Sequence, residues 1–171
     1  YLRYGTTLRG LMIEHEVEAE SYLEFVHDID RSSLEHNHSL AEAIAALPGR
    51  KLILTNGSRH HAIATAKQLG IEHLFEDIFD IIAADFIAKP EEAAYERFFE
   101  RLKVDPARAV LFEDIPRNLL VPHRRGMTTV LVLPGAGEAV EREAWEVARG
   151  DEPHIDFVTD DLVGFLETLG R

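Results

Sequence analysis

The chain has 171 residues and a formal charge of −13, and 46% of its residues are hydrophobic and 29% charged. This composition is ordinary for a folded domain and excludes intrinsic disorder. The acidic balance argues against nucleic acid and anionic membrane surfaces as partners, and the absence of cysteine excludes disulfides and thiolate catalysis. No stretch has the roughly 20 apolar residues of a membrane span. We expect a cytoplasmic protein, although the lack of cysteine is compatible with a periplasm too.

The first 47 residues predict helices. Apolar residues recur at spacings of three and four in three stretches, which contain Leu8 to Met12, Tyr22 to Val26 and Leu40 to Leu47. Pro48-Gly49 then ends the helical pattern. We expect three short helices in this segment, residues 1–47.

Strands and helices alternate after residue 48. The apolar runs predict strands at residues 51–55, 78–83, 109–112, 128–133 and 157–158. Helical patterns follow at residues 63–69 (ended by Gly70), 91–102, 116–125, 140–148 and 161–169. Strands that are apolar almost throughout predict a parallel sheet covered on both faces. The predicted fold is therefore a Rossmann-like, three-layer α/β/α core domain, residues 48–171, preceded by a helical piece.

Polar residues follow the predicted strands, where open parallel sheets bind their ligands. Thr55-Asn56-Gly57-Ser58 offers a hydroxyl and backbone N–H groups at the start of a helix, which suits a phosphate group. The alternative for this turn is a simple helix N-cap. Lys89-Pro90 places an ammonium group after the next strand, and its alternative is a solvated loop lysine.

Glu113-Asp114 follows the third strand, with Asn118 one turn into the next helix. Two adjacent carboxylates at a strand end favour a hard cation such as Mg²⁺, and the alternative is a pair that caps the helix. A hydroxyl, an ammonium group and a carboxylate pair at one sheet edge together predict a Mg²⁺-assisted phosphoryl-transfer site.

These residues resemble the motifs of the haloacid dehalogenase superfamily of aspartate-nucleophile phosphatases, and within it the pyrimidine 5′-nucleotidase-like branch. Leu54 to Ser58, Ala88 to Pro90, and Phe112 to Asp114 with Asn118 are similar to the second, third and fourth motifs of the superfamily. Residues 4–11 and 25–28 are similar to the helical cap of that branch. The resemblance thus spans nearly the whole chain and identifies residues 1–47 as part of a cap.

The resemblance implies a role for each matched residue. Thr55 and Lys89 would be catalytic, and the phosphate would be bound by Thr55, the Asn56 backbone N–H, Gly57, Lys89 and Asn118. Asp114 and Glu113 would bind Mg²⁺. The implied substrate is a small phosphorylated molecule, such as a nucleotide or a sugar phosphate. The oligomeric state stays open, with a homodimer as one alternative.

The sequence departs from the superfamily at its first motif, Asp-x-Asp-x-Thr, which carries the nucleophile upstream of the cap. This sequence begins inside the cap, so we expect the nucleophile to be missing and the chain to bind phosphate without efficient turnover. In the superfamily the nucleophile strand lies between those that end at Thr55 and Asp114. An N-terminal piece outside this sequence, another segment, another chain, or direct pairing of the two strands would have to fill that place.

Asp28-Ile29-Asp30-Arg31-Ser32 superficially fits the missing motif. The residues before it fit a helix better than a strand, so we favour an exposed loop here. The alternative function is a catalytically inactive binding or oligomerisation module. Dehalogenase chemistry is disfavoured because Glu113-Asp114 would repel an anionic substrate without a metal ion. We expect the nine histidines, including the adjacent pair His60-His61, to lie on the surface.

Overall fold

A computed structural model describes Tyr4, residues 6–135 and residues 152–170. The chain forms two compact units, one up to Lys89 together with Gly170, and the other from Pro90 to Leu169. The boundary that the sequence analysis places after residue 47 stays a prediction.

The first unit contains four helices and two strands in its described residues. They are α1 (Thr7–His15), α2 (Ala19–His27), α3 (His38–Ala46), β1 (Leu52–Leu54), α4 (Arg59–Leu69) and β2 (Asp77–Phe79), with a 3₁₀ turn at Glu72–Leu74. β1 and β2 are parallel, and Ile53 pairs with Ile78. The three helices expected before residue 48 are confirmed, and so are the strand and helix that follow them.

Side chains of capping residues set the helix ends in the first unit. Thr6 Oγ1 accepts the Arg9 N–H at 3.1 Å, which satisfies one of the unpaired donors at the start of α1. Asn37 Oδ1 accepts the Leu40 N–H at 2.9 Å at the start of α3. Gly70 ends α4 with a φ of 78°, a left-handed conformation that glycine adopts without a steric penalty.

The amino-terminal helices are held in this unit by an apolar cluster. Its buried members are Leu8, Ala19, Leu23, Ile81 and Ala88, with Met12, Tyr22 and Phe86 packed around them. α1 and α2 thereby cover the segment that follows β2. Burial of apolar area of this kind is the main source of stability for short helices, which are marginal when isolated.

The prediction for the second strand was too long. We expected residues 78–83, but β2 ends at Phe79 and residues 81–86 form a series of turns. The reason is Asp80, whose carboxylate oxygens accept the N–H groups of Arg59 at 2.9 Å and Ala83 at 2.9 Å. A side chain that satisfies nearby backbone donors favours a turn over a continued strand.

The second unit contains a three-stranded parallel sheet with helices. Its elements are α5 (Glu92–Leu102), a 3₁₀ turn at Pro106–Arg108, β3 (Val110–Glu113), a 3₁₀ turn at Pro116–Leu119, α6 (Leu120–Arg124), β4 (Thr128–Val132), β5 (Phe157–Thr159) and α7 (Leu162–Leu169). The strand order is β3-β4-β5. The mixed α/β class with parallel strands is confirmed.

The helix predicted for residues 116–125 is in the structure a 3₁₀ turn followed by the five-residue helix α6. Pro122 lies inside α6 and has no N–H to donate, which limits regular helix in this segment. The helix expected at residues 140–148 lies outside the described residues.

Each unit has a strand that is paired on one side. Among the described residues, β1 pairs with β2 alone and β3 pairs with β4 alone. All three residues of β1 are only partly buried, whereas Val130 and Leu131 in the middle of β4 are fully buried. Within the described ranges, the chain has no helix long and apolar enough to cross a membrane.

The buried side chain of Tyr95 provides a test of the packing in the second unit. Its side chain is fully buried, and its hydroxyl donates to the Asn118 carbonyl oxygen at 2.7 Å. Burial raises the pKa of Tyr95 and keeps the phenol protonated as a donor. We expect Tyr95→Phe to lower the free energy of unfolding by about 1–2 kcal/mol, because the buried carbonyl loses its partner. Urea denaturation measures this change.

Tyr22→Phe is the matched control for that substitution. The Tyr22 side chain packs against the apolar cluster, and its hydroxyl makes no hydrogen bond among the described residues. Its removal should change the free energy of unfolding by less than about 0.5 kcal/mol. Equal effects of the two substitutions would contradict the role given to the Tyr95 hydroxyl.

Candidate functional site

The turn that follows β1 is closed by its own side chains. The Thr55 N–H donates to the Phe79 carbonyl at 3.0 Å and extends the pairing of β1 with β2. Thr55 Oγ1 accepts the Gly57 N–H at 2.9 Å, and Ser58 Oγ accepts the His61 N–H at 3.3 Å. Ser58 is therefore the N-cap of α4, as the simpler alternative stated, while the Thr55 hydroxyl keeps its own proton for another acceptor.

Asn56 fixes the backbone of Lys89. Its Oδ1 accepts the Lys89 N–H at 2.8 Å, and its Nδ2 donates to the Lys89 carbonyl oxygen at 3.1 Å. A side-chain amide offers the same donor and acceptor as a peptide group, so this is a pairing of two peptide-like groups. The sequence analysis gave Asn56 a backbone role, and the structure adds this positioning role for its side chain.

Lys89 is buried and lies at the same end of β1 as Thr55. The residue is 9% exposed, and its Nζ donates to the Leu54 carbonyl oxygen at 3.1 Å. The alternative of a solvated loop lysine is wrong, because the side chain is directed inward to the strand end. Burial of an ammonium group costs free energy unless the group is hydrogen-bonded, and the Leu54 carbonyl oxygen accepts one such bond here.

In the second unit, Glu113 is the last residue of β3 and is 9% exposed. Its Oε1 accepts the N–H groups of Asp114 at 3.1 Å and Ile115 at 3.2 Å. These bonds close the connection before the 3₁₀ turn at Pro116–Leu119, and no side chain caps that turn, so the alternative of a helix-capping acid pair is wrong. The neighbouring Asp114 is exposed to solvent.

Asn118 is 2% exposed and lies in the 3₁₀ turn after the acid pair. Its backbone carbonyl accepts the Tyr95 hydroxyl, but its side-chain Oδ1 has no hydrogen-bond partner among the described residues. A buried polar atom without a partner costs about 1–3 kcal/mol. Such an atom is often found where a ligand or a bound water completes the site.

The Glu113 and Asp114 side chains could supply only a small number of protein ligands to Mg²⁺. Among the described residues, no group of three or more histidine, aspartate or glutamate side chains could hold a metal ion. Mg²⁺ commonly keeps several waters and binds through one or two carboxylates together with substrate phosphate. The exposed Asp114 carboxylate and Glu113 beside it meet this requirement for one or two carboxylates.

Two histidines that we expected on the surface are instead half-buried beside the turn. His27 Nδ1 lies 2.9 Å from Ser58 Oγ, and the His27 and His61 rings stack with centroids 4.3 Å apart. Arg31 Nη2 lies 2.8 Å from His61 Nδ1. Burial lowers the pKa of both imidazoles, and the positive charge of Arg31 lowers both further.

Asp28 and Asp30, the pair that superficially fits the missing motif, lie in the exposed loop after α2 and do not follow a strand. Both carboxylate oxygens of Asp30 accept hydrogen bonds from Ser32, from its N–H at 2.8 Å and its hydroxyl at 2.9 Å. These bonds lower the pKa of Asp30. The local structure is the exposed loop that we favoured.

Each unit contains parallel strands, with the Thr55 hydroxyl and the buried Lys89 ammonium group in the first unit and the Glu113-Asp114 pair in the second. The model of the haloacid dehalogenase-like hydrolase family matches residues 6–121. The chain belongs to this family of hydrolases.

Similar proteins include chronophin, a phosphatase and a dehalogenase. Human chronophin is 36% identical over 84 residues, which are 48% of this chain and 28% of chronophin. Validoxylamine A 7′-phosphate phosphatase of Streptomyces hygroscopicus subsp. limoneus is 31% identical over 80 residues, 46% of this chain and 36% of that protein. The matches thus span about a third of these relatives or less.

The crystal structure of a dehalogenase with an intermediate complex superposes with a TM-score of 0.63 at 21% identity. The superposition covers 99% of this chain and 80% of that one. At this level of identity the likeness shows a shared fold.

We expect Asn56→Ala to release the Lys89 backbone. The variant should lower the free energy of unfolding by about 1–3 kcal/mol and speed hydrogen exchange at the Lys89 amide, which loses its acceptor. Amide exchange followed by NMR measures both effects. Asn37→Ala is the control, because it removes a helix cap at α3. If Asn37→Ala changed Lys89 exchange as much as Asn56→Ala, the pairing would not be the cause.

The histidine pair makes stability depend on pH. Since the folded-state pKa values lie below the unfolded value of about 6.5, the unfolded chain binds more protons near and below that pH. Stability is therefore fully present above about pH 6.5 and falls as the pH drops from there towards the lowered pKa values. Urea midpoints between about pH 7.5 and 5.5 measure the slope.

His27→Asn should reduce that slope. His73→Asn is the matched control, because His73 is exposed and its charge does not act on either ring of the pair. A wild-type slope in the His27→Asn variant would contradict the assignment of the pH dependence to this pair.

Proposed function

We propose that this chain forms the phosphate-binding and metal-binding part of a phosphate monoester hydrolase. The observation that carries the proposal is the buried Lys89 ammonium group at the end of β1, fixed there through the Asn56 pairing. Membership of a hydrolase family and the similarity to validoxylamine A 7′-phosphate phosphatase support it. The activity and the substrate of the whole protein are likewise proposed.

In this proposal Thr55 donates its hydroxyl proton to a phosphoryl oxygen. The N–H of Asn56 and the open backbone at Gly57 lie in the same turn at the start of α4, a position that favours anions. Lys89 neutralises charge on the transferring group and orients the nucleophile. The net charge of −13 makes this local cation necessary, because the rest of the surface repels an anionic substrate.

Asp114 and Glu113 are the proposed ligands of Mg²⁺, with Asp114 in direct contact because its carboxylate is exposed. When bound, Mg²⁺ would neutralise phosphate charge in the transition state. The unpartnered Oδ1 of Asn118 would be satisfied by a water or by the loop that holds the ligand.

The proposed chemistry is a two-step displacement at phosphorus. An aspartate oxygen forms a bond to phosphorus while the ester P–O bond breaks, and the leaving alkoxide takes up a proton. Water then attacks the aspartyl-phosphate, which releases inorganic phosphate and restores the carboxylate. We propose that this aspartate belongs to a segment outside the sequence given, since Asp28 and Asp30 follow a helix.

The proposed substrates are small phosphate monoesters, with pyrimidine nucleotides and sugar phosphates as the first to test. The pyrimidine nucleotidase resemblance of residues 4–11 and 25–28 supports the nucleotides. The second candidate function, an inactive phosphate-binding module, is favoured by the position of the only matching Asp-x-Asp sequence in an exposed loop.

Titration calorimetry with inorganic phosphate, with and without Mg²⁺, tests the site. We expect Lys89→Met to weaken phosphate binding by about 10- to 100-fold through loss of a charged hydrogen bond. Asp114→Asn should remove the effect of Mg²⁺ on binding. Lys67→Met and Asp160→Asn are matched controls at exposed positions. Wild-type binding in both site variants would contradict the proposal.

Hydrolysis of p-nitrophenyl phosphate by the same proteins tests whether the nucleophile lies within this sequence. Phosphate binding without turnover agrees with a nucleophile outside this sequence or with a binding module. Mg²⁺-dependent turnover that is lost in Asp28→Asn would place the nucleophile in the loop after α2 and overturn this part of the proposal.

A further inference from the structure

Four side chains join the end of α2 and the following loop to the start of α4. This imidazole cluster consists of His27, Arg31, Ser58 and His61. His27 Nδ1 contacts Ser58 Oγ at 2.9 Å, Arg31 Nη2 contacts His61 Nδ1 at 2.8 Å, and the two rings are stacked. Arg31 also donates to the His27 carbonyl at 2.9 Å. The cluster therefore holds His27 in one orientation beside the Thr55–Ser58 turn.

The hydrogen bonds indicate a tautomer for each ring. Arg31 can only donate, so His61 Nδ1 accepts and the His61 proton is on Nε2. Ser58 Oγ accepts the backbone N–H of His61, and among the described residues the Ser58 hydroxyl proton has no acceptor other than His27 Nδ1. We assign the Ser58 hydroxyl as the donor to His27 Nδ1, which places the His27 proton on Nε2.

The His27 Nε2–H group is placed at the edge of the phosphate turn. A β-carbon at Gly57 would stand 3.5 Å from His27 Nε2 and 3.3 Å from Thr55 Oγ1. The His27 Nε2 and Thr55 Oγ1 atoms therefore both lie close to Gly57, on the side where other residues carry a β-carbon. Within the described part of the chain, neither the His27 Nε2 proton nor the Thr55 hydroxyl proton has an acceptor.

These two donors lie beside the same glycine, and the described residues do not provide an acceptor for either of them. Water would satisfy them in the free protein, and an anionic oxygen would satisfy them more strongly, because hydrogen bonds to charged groups are about twice as strong as neutral ones. The acceptor that suits this turn is the phosphoryl group already proposed for it.

We propose that His27 is a phosphate-binding residue, which donates its Nε2–H to an oxygen of the phosphoryl group held by the Thr55–Ser58 turn. This inference rests on the proposed function. It assigns a ligand contact to the helical segment itself, so α2 contributes to the binding of the common phosphate group as well as to the choice of the leaving group.

Two amide substitutions separate the two nitrogens of His27. His27→Asn places an amide oxygen near the Nδ1 position, so it can still accept from Ser58 but has no donor at the Nε2 position. His27→Gln places an amide N–H near the Nε2 position and loses the acceptor for Ser58. We expect His27→Asn to weaken inorganic phosphate binding by about 10-fold, and His27→Gln to retain most of the affinity. His60→Asn should bind as the wild type does.

Titration calorimetry with inorganic phosphate gives distinct outcomes. Weakened binding in Thr55→Ala with wild-type binding in His27→Asn would overturn this inference and leave the proposed function standing. A larger loss in His27→Gln than in His27→Asn would assign His27 a structural role through Ser58 and would also overturn the inference. No phosphate binding by the wild type would overturn the proposed function, and this inference with it.

Imidazole ¹⁵N NMR adds a measurement that phosphate would not change if the role of His27 were purely structural. The free protein should show His27 as the Nε2–H tautomer, and phosphate should shift the Nε2 resonance of His27 while the His60 resonances stay constant. A His27 proton on Nδ1 in the free protein, or no phosphate-dependent shift at Nε2, would contradict the proposal.

Discussion

The pairing of Asn56 with the backbone of Lys89 is the constraint on which the rest of this site depends. It joins two positions that are 33 residues apart, one in the turn after β1 and one at the end of the loops that follow β2. Buried loop backbone must find hydrogen-bond partners, and here a single amide supplies both of them. The Lys89 ammonium group reaches the Leu54 carbonyl because its backbone is held in place, so the charge at the strand end follows from the amide.

The helical segment is attached to the same turn by two kinds of interaction. The apolar cluster around Leu8 and Leu23 holds α1 and α2 against the segment after β2 without directional preference. The imidazole cluster adds direction, because its hydrogen bonds require one position of His27 relative to Ser58. Packing therefore supplies most of the attachment, and the polar contacts define its geometry.

Local sequence patterns were sufficient to predict the helices and strands. They did not predict the contacts between residues that are distant in sequence. The helices, Gly70 at the end of α4 and the parallel strands follow from periodicity and turn residues. The end of β2 at Phe79 depends on the Asp80 contact with Arg59, 21 residues away, which has no local signal. His27 was missed for the same reason, since its partner Ser58 is 31 residues away. The residue types at the strand ends were predictable, but the pairing made by the Asn56 side chain was not.

The charges around the turn act on both imidazoles. Arg31 makes four hydrogen bonds to protein groups, so its donors are directed at the chain and not at a ligand. Burial lowers the pKa of both imidazoles, and the positive charge of Arg31 lowers both further. In the site that we propose, Lys89 would supply the cation at the strand end, and the His27 and Thr55 donors would supply direction. Uncharged donors would orient a phosphate without the tight ground-state binding that a cluster of cations would give, and a hydrolase must release phosphate at the end of each turnover.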